Sequence, residues 1–194
     1  MAALASYLIG SVPTAVLAAR LAGRPDPRTV GTRNAGSTNV ALTVGPLAGV
    51  AVLVIDLLKG VVTGSAGAMF IGQLGGDLCA LAAVFGQIAP IFAGFRGGKG
   101  AATTLGGYIG VAPVLAVLGL ATWALGLVVL RRFVVSTVTA LLALAVVCVL
   151  FGQHVPYAVG AFALTVFAHR HDLAAWHRGE LPTIRENLRD NPSR

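Results

Sequence analysis

Charge is what this chain has least of. Only seven of its 194 residues are Asp or Glu, and charged residues together make up 11%. Soluble domains carry roughly 25%, so this set cannot cover a water-facing globule. The two cysteines, Cys79 and Cys148, sit in apolar runs and exclude a disulfide scaffold. Aromatic residues are also sparse, at 7%, and no basic stretch is interleaved with them as a nucleic-acid groove requires. There is no Cys/His cluster at metal-ligand spacing and no Ser-His-Asp signature. Met1 to Ser6 lack the positive start of a cleavable signal peptide, and the first apolar segment is expected to stay. What is abundant is apolar: 56% hydrophobic residues and a mean hydropathy of +0.84. Disorder is excluded, and the length fits one unit over 1–194 at roughly one domain per ~150 residues. The composition is that of an all-α, polytopic integral membrane protein.

A spanning helix needs ~20 mainly apolar residues. Spans are expected near 2–19, 46–70, 77–93, 113–130, 133–151 and 154–168, with a shorter segment at 101–111. Pro113 breaks the long uncharged stretch between Lys99 and Arg131. With seven segments, Arg20, Arg24, Arg28 and Arg33 share a side with Arg96, Lys99, Arg131, Arg132 and the tail 170–194. The opposite loops, near 71–76, 112 and 152–155, have no Lys or Arg. The positive-inside rule then puts the N-terminus outside and the C-terminus in the cytoplasm. The 101–111 segment is too short to cross alone and should be shielded by protein. The 25 glycines fit close helix packing in lipid.

Four places interrupt the apolar pattern. Gly31-Thr-Arg-Asn-Ala-Gly-Ser-Thr-Asn39 has no large apolar side chain and is either a polar connector or an oxyanion cradle. Phe95-Arg-Gly-Gly-Lys-Gly100 precedes an apolar segment, so Lys99 and a helix N-terminus could face an anion. It is not a Walker A loop, because Ala93 and Gly100 stand where that motif needs Gly and Ser or Thr. Asp56 and Lys59, three apart inside the second span, read as a buried ion pair, since a lone charge there costs roughly 2.5–3.5 kcal/mol. Ala168-His-Arg-His-Asp172 closes the last span, where a helix C-terminus would favour protonated His169. His154 falls on the other side and is left out of the site.

In their order, Tyr7-Leu-Ile-Gly-Ser-Val-Pro13, Gly31 to Asn39, Asp56-Leu-Leu-Lys-Gly60, Gly86 to Gly100 and His169-Arg170 followed by Gly179-Glu180 resemble the PlsY family over nearly the whole chain. These are bacterial membrane acyltransferases that make lysophosphatidic acid from glycerol 3-phosphate and acyl phosphate. The resemblance implies seven helices in the cell inner (plasma) membrane, an active site facing the cytoplasm, an acyl chain between helices, and no metal or other cofactor. It also implies attack of the glycerol phosphate 1-hydroxyl on the acyl carbonyl, with a substrate phosphate assisting as base. Carried onto this chain, Thr32, Lys99 and His169 are the catalytic candidates. Asn34, Thr38, Asn39, Gly97, Gly98, Gly100 and Asp172 are the substrate-binding ones.

The chain departs from the family pattern at several positions. Thr32 replaces a serine, Arg33 a glycine, Leu42 an arginine, Gln87 a histidine, Val135 a serine and Asp172 an asparagine. Thr32 keeps a hydroxyl, and Arg33 on the same loop is the guanidinium expected to reach the volume left by Leu42. A carboxylate at 172 repels a phosphate dianion unless it is protonated or paired with His169 or Arg170. Two other readings follow: a non-catalytic or altered-acceptor paralogue that binds acyl phosphate or phospholipid, and a transporter. The second fits less well, because the polar residues gather at one face rather than around a midplane site.

Overall fold

The computed structural model describes residues 1–181, and among these all regular structure is helical. The remainder of the expected tail, 182–194, lies outside the described residues. The helices are α1 (Ala2–Gly10), α2 (Thr14–Leu21), α3 (Ser37–Thr43), α4 (Pro46–Ile71), α5 (Gln73–Ile88), α6 (Ala101–Val111), α7 (Pro113–Leu130), α8 (Phe133–Phe151), α9 (Val155–Ala168) and α10 (Arg170–His177). A single 3₁₀ turn, Ile91–Ala93, extends α5.

Five segments are long and apolar enough to cross a bilayer: Ala2–Leu21, Pro46–Ile71, Gln73–Ala93, Pro113–Leu130 and Phe133–Phe151. α6 and α9, with 11 and 14 residues, are shorter. The protein is thus a multi-pass membrane protein whose apolar segments fall close to the expected ones. The first span differs: Ser11-Val12-Pro13 splits it into α1 and α2. Pro13 lacks an N–H, so the helical ladder cannot run through it. Proline also marks the starts of α4, α7 and α9, where a missing donor costs nothing. Two short helices lie where only connectors were expected. α3 begins inside the first polar loop, and α10 follows the last span.

α4 and α6 form the centre, with α5 packed on both. Glycine permits their approach: a Cβ on Gly60 would run into the Thr103 carbonyl, and one on Gly106 into that of Leu57. α6 is enclosed by its neighbours, with Thr103, Thr104, Gly106, Gly107 and Tyr108 buried. Tyr108 and Tyr157 meet edge to face at 4.8 Å, and the Tyr157 hydroxyl donates to the Thr104 carbonyl (2.6 Å). α7 contributes a single buried residue, Ala116, and turns the rest of its surface to lipid or to a groove described below.

The ends of the bundle differ in charge. At one, the Arg28 guanidinium donates to the Ala93 carbonyl (2.9 Å), Lys99 pairs with Asp172, and Arg132 Nε donates to the Leu181 carbonyl (3.1 Å). Arg28 also grips Asp26 at 2.6 Å, which holds that carboxyl below the usual carboxylate range. At the other end His154 contacts buried Asp77 at 2.7 Å, away from the basic loops.

Candidate active site

The first polar loop is organised by one amide. Asn39, 1% exposed, accepts from the Thr32 N–H (2.9 Å) and donates to the carbonyls of Pro27 (2.6 Å), Val30 (3.1 Å) and Asn34 (3.0 Å). With its polar atoms so engaged, Asn39 shapes the loop and has little left for a substrate. The loop presents Thr32 and Thr38 as exposed side chains and Asn34 as a half-buried one. Arg33 sits at φ +56°, a left-handed conformation that glycine adopts more readily.

The glycine-rich loop folds against the end of α5. The Gly97 N–H donates to the Ile88 carbonyl (3.2 Å) and the Gly98 N–H to the Gln87 carbonyl (3.1 Å). Those two amides are therefore spent inside the protein, contrary to the expectation that they face a phosphate. Gly98 instead allows close packing, since a Cβ there would press on the Ala35 carbonyl of the first loop. Gly100 takes φ +75° and turns the chain into α6. The donors left beside the loop are then Lys99 and the first N–H groups of α6, which have no intrahelical acceptor.

Lys99 is 30% exposed and forms an ion pair with Asp172, 29% exposed, on α10. Neither His169 nor Arg170 is the carboxylate's partner. Arg170 donates to the Phe167 carbonyl (2.9 Å) and lies over the Phe167 ring at 4.4 Å. His169, 1% exposed just beyond α9, donates from Nδ1 to the Thr165 carbonyl (2.9 Å). That contact fixes the tautomer and leaves Nε2 as an acceptor. Burial outweighs the helix terminus and pushes the imidazole below its ordinary range, so His169 is held neutral rather than protonated.

A groove of about 330 Å³ opens where the two polar elements meet. Ser37 and Thr38 of α3 and Ala101 and Ala102 of α6 line one part, while Tyr108, Ala116, Trp123 and Leu144 line the apolar remainder between α6, α7 and α8. Trp123 Nε1 donates within the protein, to the Thr137 hydroxyl (3.1 Å). This groove was not anticipated residue by residue. The available signal was the small residues Ala116, Gly119 and Ala140 on adjoining apolar helices. Leu42 is exposed and Val135 buried, and neither lines the groove.

Beneath the loops lies a buried charged network. Lys59 Nζ contacts Asp56 Oδ1 at 2.8 Å and donates to the Val12 carbonyl (2.6 Å) and to Gln87 Oε1 (2.7 Å). Gln87 Nε2 donates to the other Asp56 oxygen (2.9 Å), and the Thr14 hydroxyl donates to Oδ1. The ion pair is buried, as its spacing suggested, and it ties the break between α1 and α2 to α4 and α5. Gln87, which departs from the family's histidine, fits because one amide both accepts from the ammonium and donates to the carboxylate.

The family model of glycerol-3-phosphate acyltransferases matches residues 1–179. The chain belongs to this family. A glycerol-3-phosphate acyltransferase of Thioalkalivibrio sulfidiphilus is 40% identical over 185 residues, covering 93% of this chain and 91% of the relative. Two crystal structures of PlsY (YgiH), an integral membrane glycerol 3-phosphate acyltransferase, share the fold. The glycerol 3-phosphate form superposes with a TM-score of 0.88 at 29% identity, and the lysophosphatidic acid form with 0.86 at 27%. Each comparison covers 96% of both chains. The match over 1–179 spans every element of the candidate site built above.

Proposed function

We propose that this protein transfers an acyl group from acyl phosphate to the 1-hydroxyl of glycerol 3-phosphate, giving lysophosphatidic acid and inorganic phosphate. The observation that carries this reading is the apolar groove meeting Ser37, Thr38 and the start of α6 just after Lys99. An acyl chain fits the apolar part, and its phosphate head meets an ammonium and free N–H donors. The family relatives, named for glycerol 3-phosphate and seen with it and with lysophosphatidic acid, support the acceptor and the product.

In this mechanism the acceptor hydroxyl oxygen attacks the acyl carbonyl carbon. The bond from that carbon to the phosphate oxygen breaks, inorganic phosphate leaves, and the hydroxyl proton passes to a substrate phosphate. Lys99 and the α6 N-terminus stabilise charge on the departing phosphate. Thr32, Asn34 and Thr38 orient the acceptor and its phosphate, with Asn39, Gly97, Gly98 and Gly100 shaping the two loops around them. His169, neutral and fixed through Nδ1, contributes Nε2 as an acceptor near the reacting groups. No metal or other cofactor enters the reaction.

The same reading treats 1–194 as one unit with seven membrane segments, counting α6 and α9, and its N-terminus outside. The site then faces the cytoplasm from the inner membrane, which the gathering of basic loops at one end of the bundle supports. The test is phosphate release by the purified protein in lipid, with palmitoyl phosphate, with and without glycerol 3-phosphate. Release that depends on glycerol 3-phosphate, yields lysophosphatidic acid and is lost in a folded Lys99→Ala variant is the expected result. Acyl phosphate bound without release moves the reading to a non-catalytic or altered-acceptor paralogue.

A further inference from the structure

We propose that Asp172 is a built-in competitor for the phosphate site, occupying the Lys99 ammonium until a phosphate displaces it. The inference rests on the phosphate reading of Lys99 above and adds what sets the affinity there. Lys99 is the side-chain cation between the glycine-rich loop and α6, and its partner in the ion pair is the Asp172 carboxylate. An arriving phosphate must break or share that contact, and it then faces a carboxylate of its own sign. Arg170 offers Asp172 no second partner, being turned to Phe167, and His169 is neutral.

Asp172 is also placed to withdraw. None of the α10 residues is buried, and the helix joins the bundle through His169, which caps both α9 and α10. Moving the carboxylate therefore opens no core. A resident carboxylate weakens entry of the phosphate and, by returning to Lys99, assists its departure. Asp172 is in this sense an affinity-setting residue rather than a ligand of the substrate.

The experiment measures equilibrium binding of inorganic phosphate and of glycerol 3-phosphate to the full chain in lipid nanodiscs. It compares the wild type with Asp172→Asn, Asp172→Glu, Lys99→Ala and the Lys99→Ala/Asp172→Asn double variant. Asp172→Asn is expected to tighten at least one probe about tenfold, equivalent to ~1.4 kcal/mol. The probe that tightens identifies which of the two substrate phosphates Lys99 receives. Asp172→Glu keeps the competitor and stays near wild-type affinity, and the gain disappears when Lys99 is Ala. Asp172→Ser replaces the Asn variant if the latter is not monodisperse.

Unchanged or weaker binding of both probes by the folded Asn or Ser variant overturns the proposal and makes Asp172 a support for Lys99. Turnover measured alongside separates this inference from the functional reading. The Asp172→Asn gain in binding, together with a wild type that transfers no acyl group, removes the acyltransferase reading and keeps the competitor. Acyl transfer without the gain does the reverse.

Discussion

Replacing Lys59 with methionine keeps most of the side-chain volume and removes an ammonium that is 5% exposed. Three close contacts go with it: Asp56 at 2.8 Å, the Val12 carbonyl at 2.6 Å and Gln87 Oε1 at 2.7 Å. The Asp56 carboxylate then stays buried with only the Gln87 amide and the Thr14 hydroxyl as side-chain donors. Breaking a buried ion pair from one side costs about 3–5 kcal/mol. For a chain of this size, ~2–4 °C of melting temperature per kcal/mol predicts a drop of about 6–20 °C. The second variant decides the argument. Asp56→Asn combined with Lys59→Met leaves no uncompensated charge, so the double variant should recover ~1–3 kcal/mol relative to Lys59→Met. Thermal unfolding in detergent followed by circular dichroism, with monodispersity checked by gel filtration, reads both effects. A double variant as unstable as the sum of the singles would show that the two charges act independently, and the network account would fail.

Asn39→Ala leaves the Thr32 N–H and three carbonyls to find new partners, so the first loop should lose its shape and acyl transfer should fall ~10²-fold. A fully active, loop-altered variant in the phosphate-release assay would remove that organising role. Ala116→Phe, 3% exposed in the wild type, places a ring in the groove, and palmitoyl phosphate should lose more activity than lauroyl phosphate. Equal losses on the two donors would take the acyl chain out of that groove. His169 titrates below its ordinary value of about 6.5 because it is buried, so between the folded and unfolded values the unfolded chain binds more protons. Its contribution to stability is therefore present above about pH 6.5 and is lost as the pH falls toward the folded value. Melting curves between pH 7.5 and 5 should show less acid destabilisation in His169→Asn than in the wild type.

Much of this molecule is legible from its residues because lipid imposes a simple rule: apolar runs become helices, and their length decides what they cross. The boundaries near Pro46, Pro113 and Arg131–Phe133 follow directly from proline and charge. The break at Ser11-Val12-Pro13 is harder to see because hydropathy continues across it, and what stabilises it is Lys59, far away in sequence. The polar loops are recognisable as a candidate site by what they lack, but not the division of labour within them. That Asn39, Gly97 and Gly98 spend their hydrogen bonds on the backbone depends on how the chain folds back, which composition does not encode. The partner of Asp172 was likewise missed, since the nearest cations in sequence, His169 and Arg170, are turned elsewhere and the distant Lys99 is the one in reach.

The clamp on the first break also bears on how the chain enters a membrane. When α4 reaches the membrane it carries Asp56 and Lys59 at mid-helix, while Gln87, which joins both, follows behind it on α5. The two charges can meet each other at once, and α2 can supply Thr14 and α1–α2 the Val12 carbonyl, but the amide arrives only with α5. Release of α4 into lipid is thus favoured after its successor is present, so the first three spans enter as a group and not singly. A released chain truncated after Ile71 should linger beside the insertion machinery, and one extending beyond Ala93 should not.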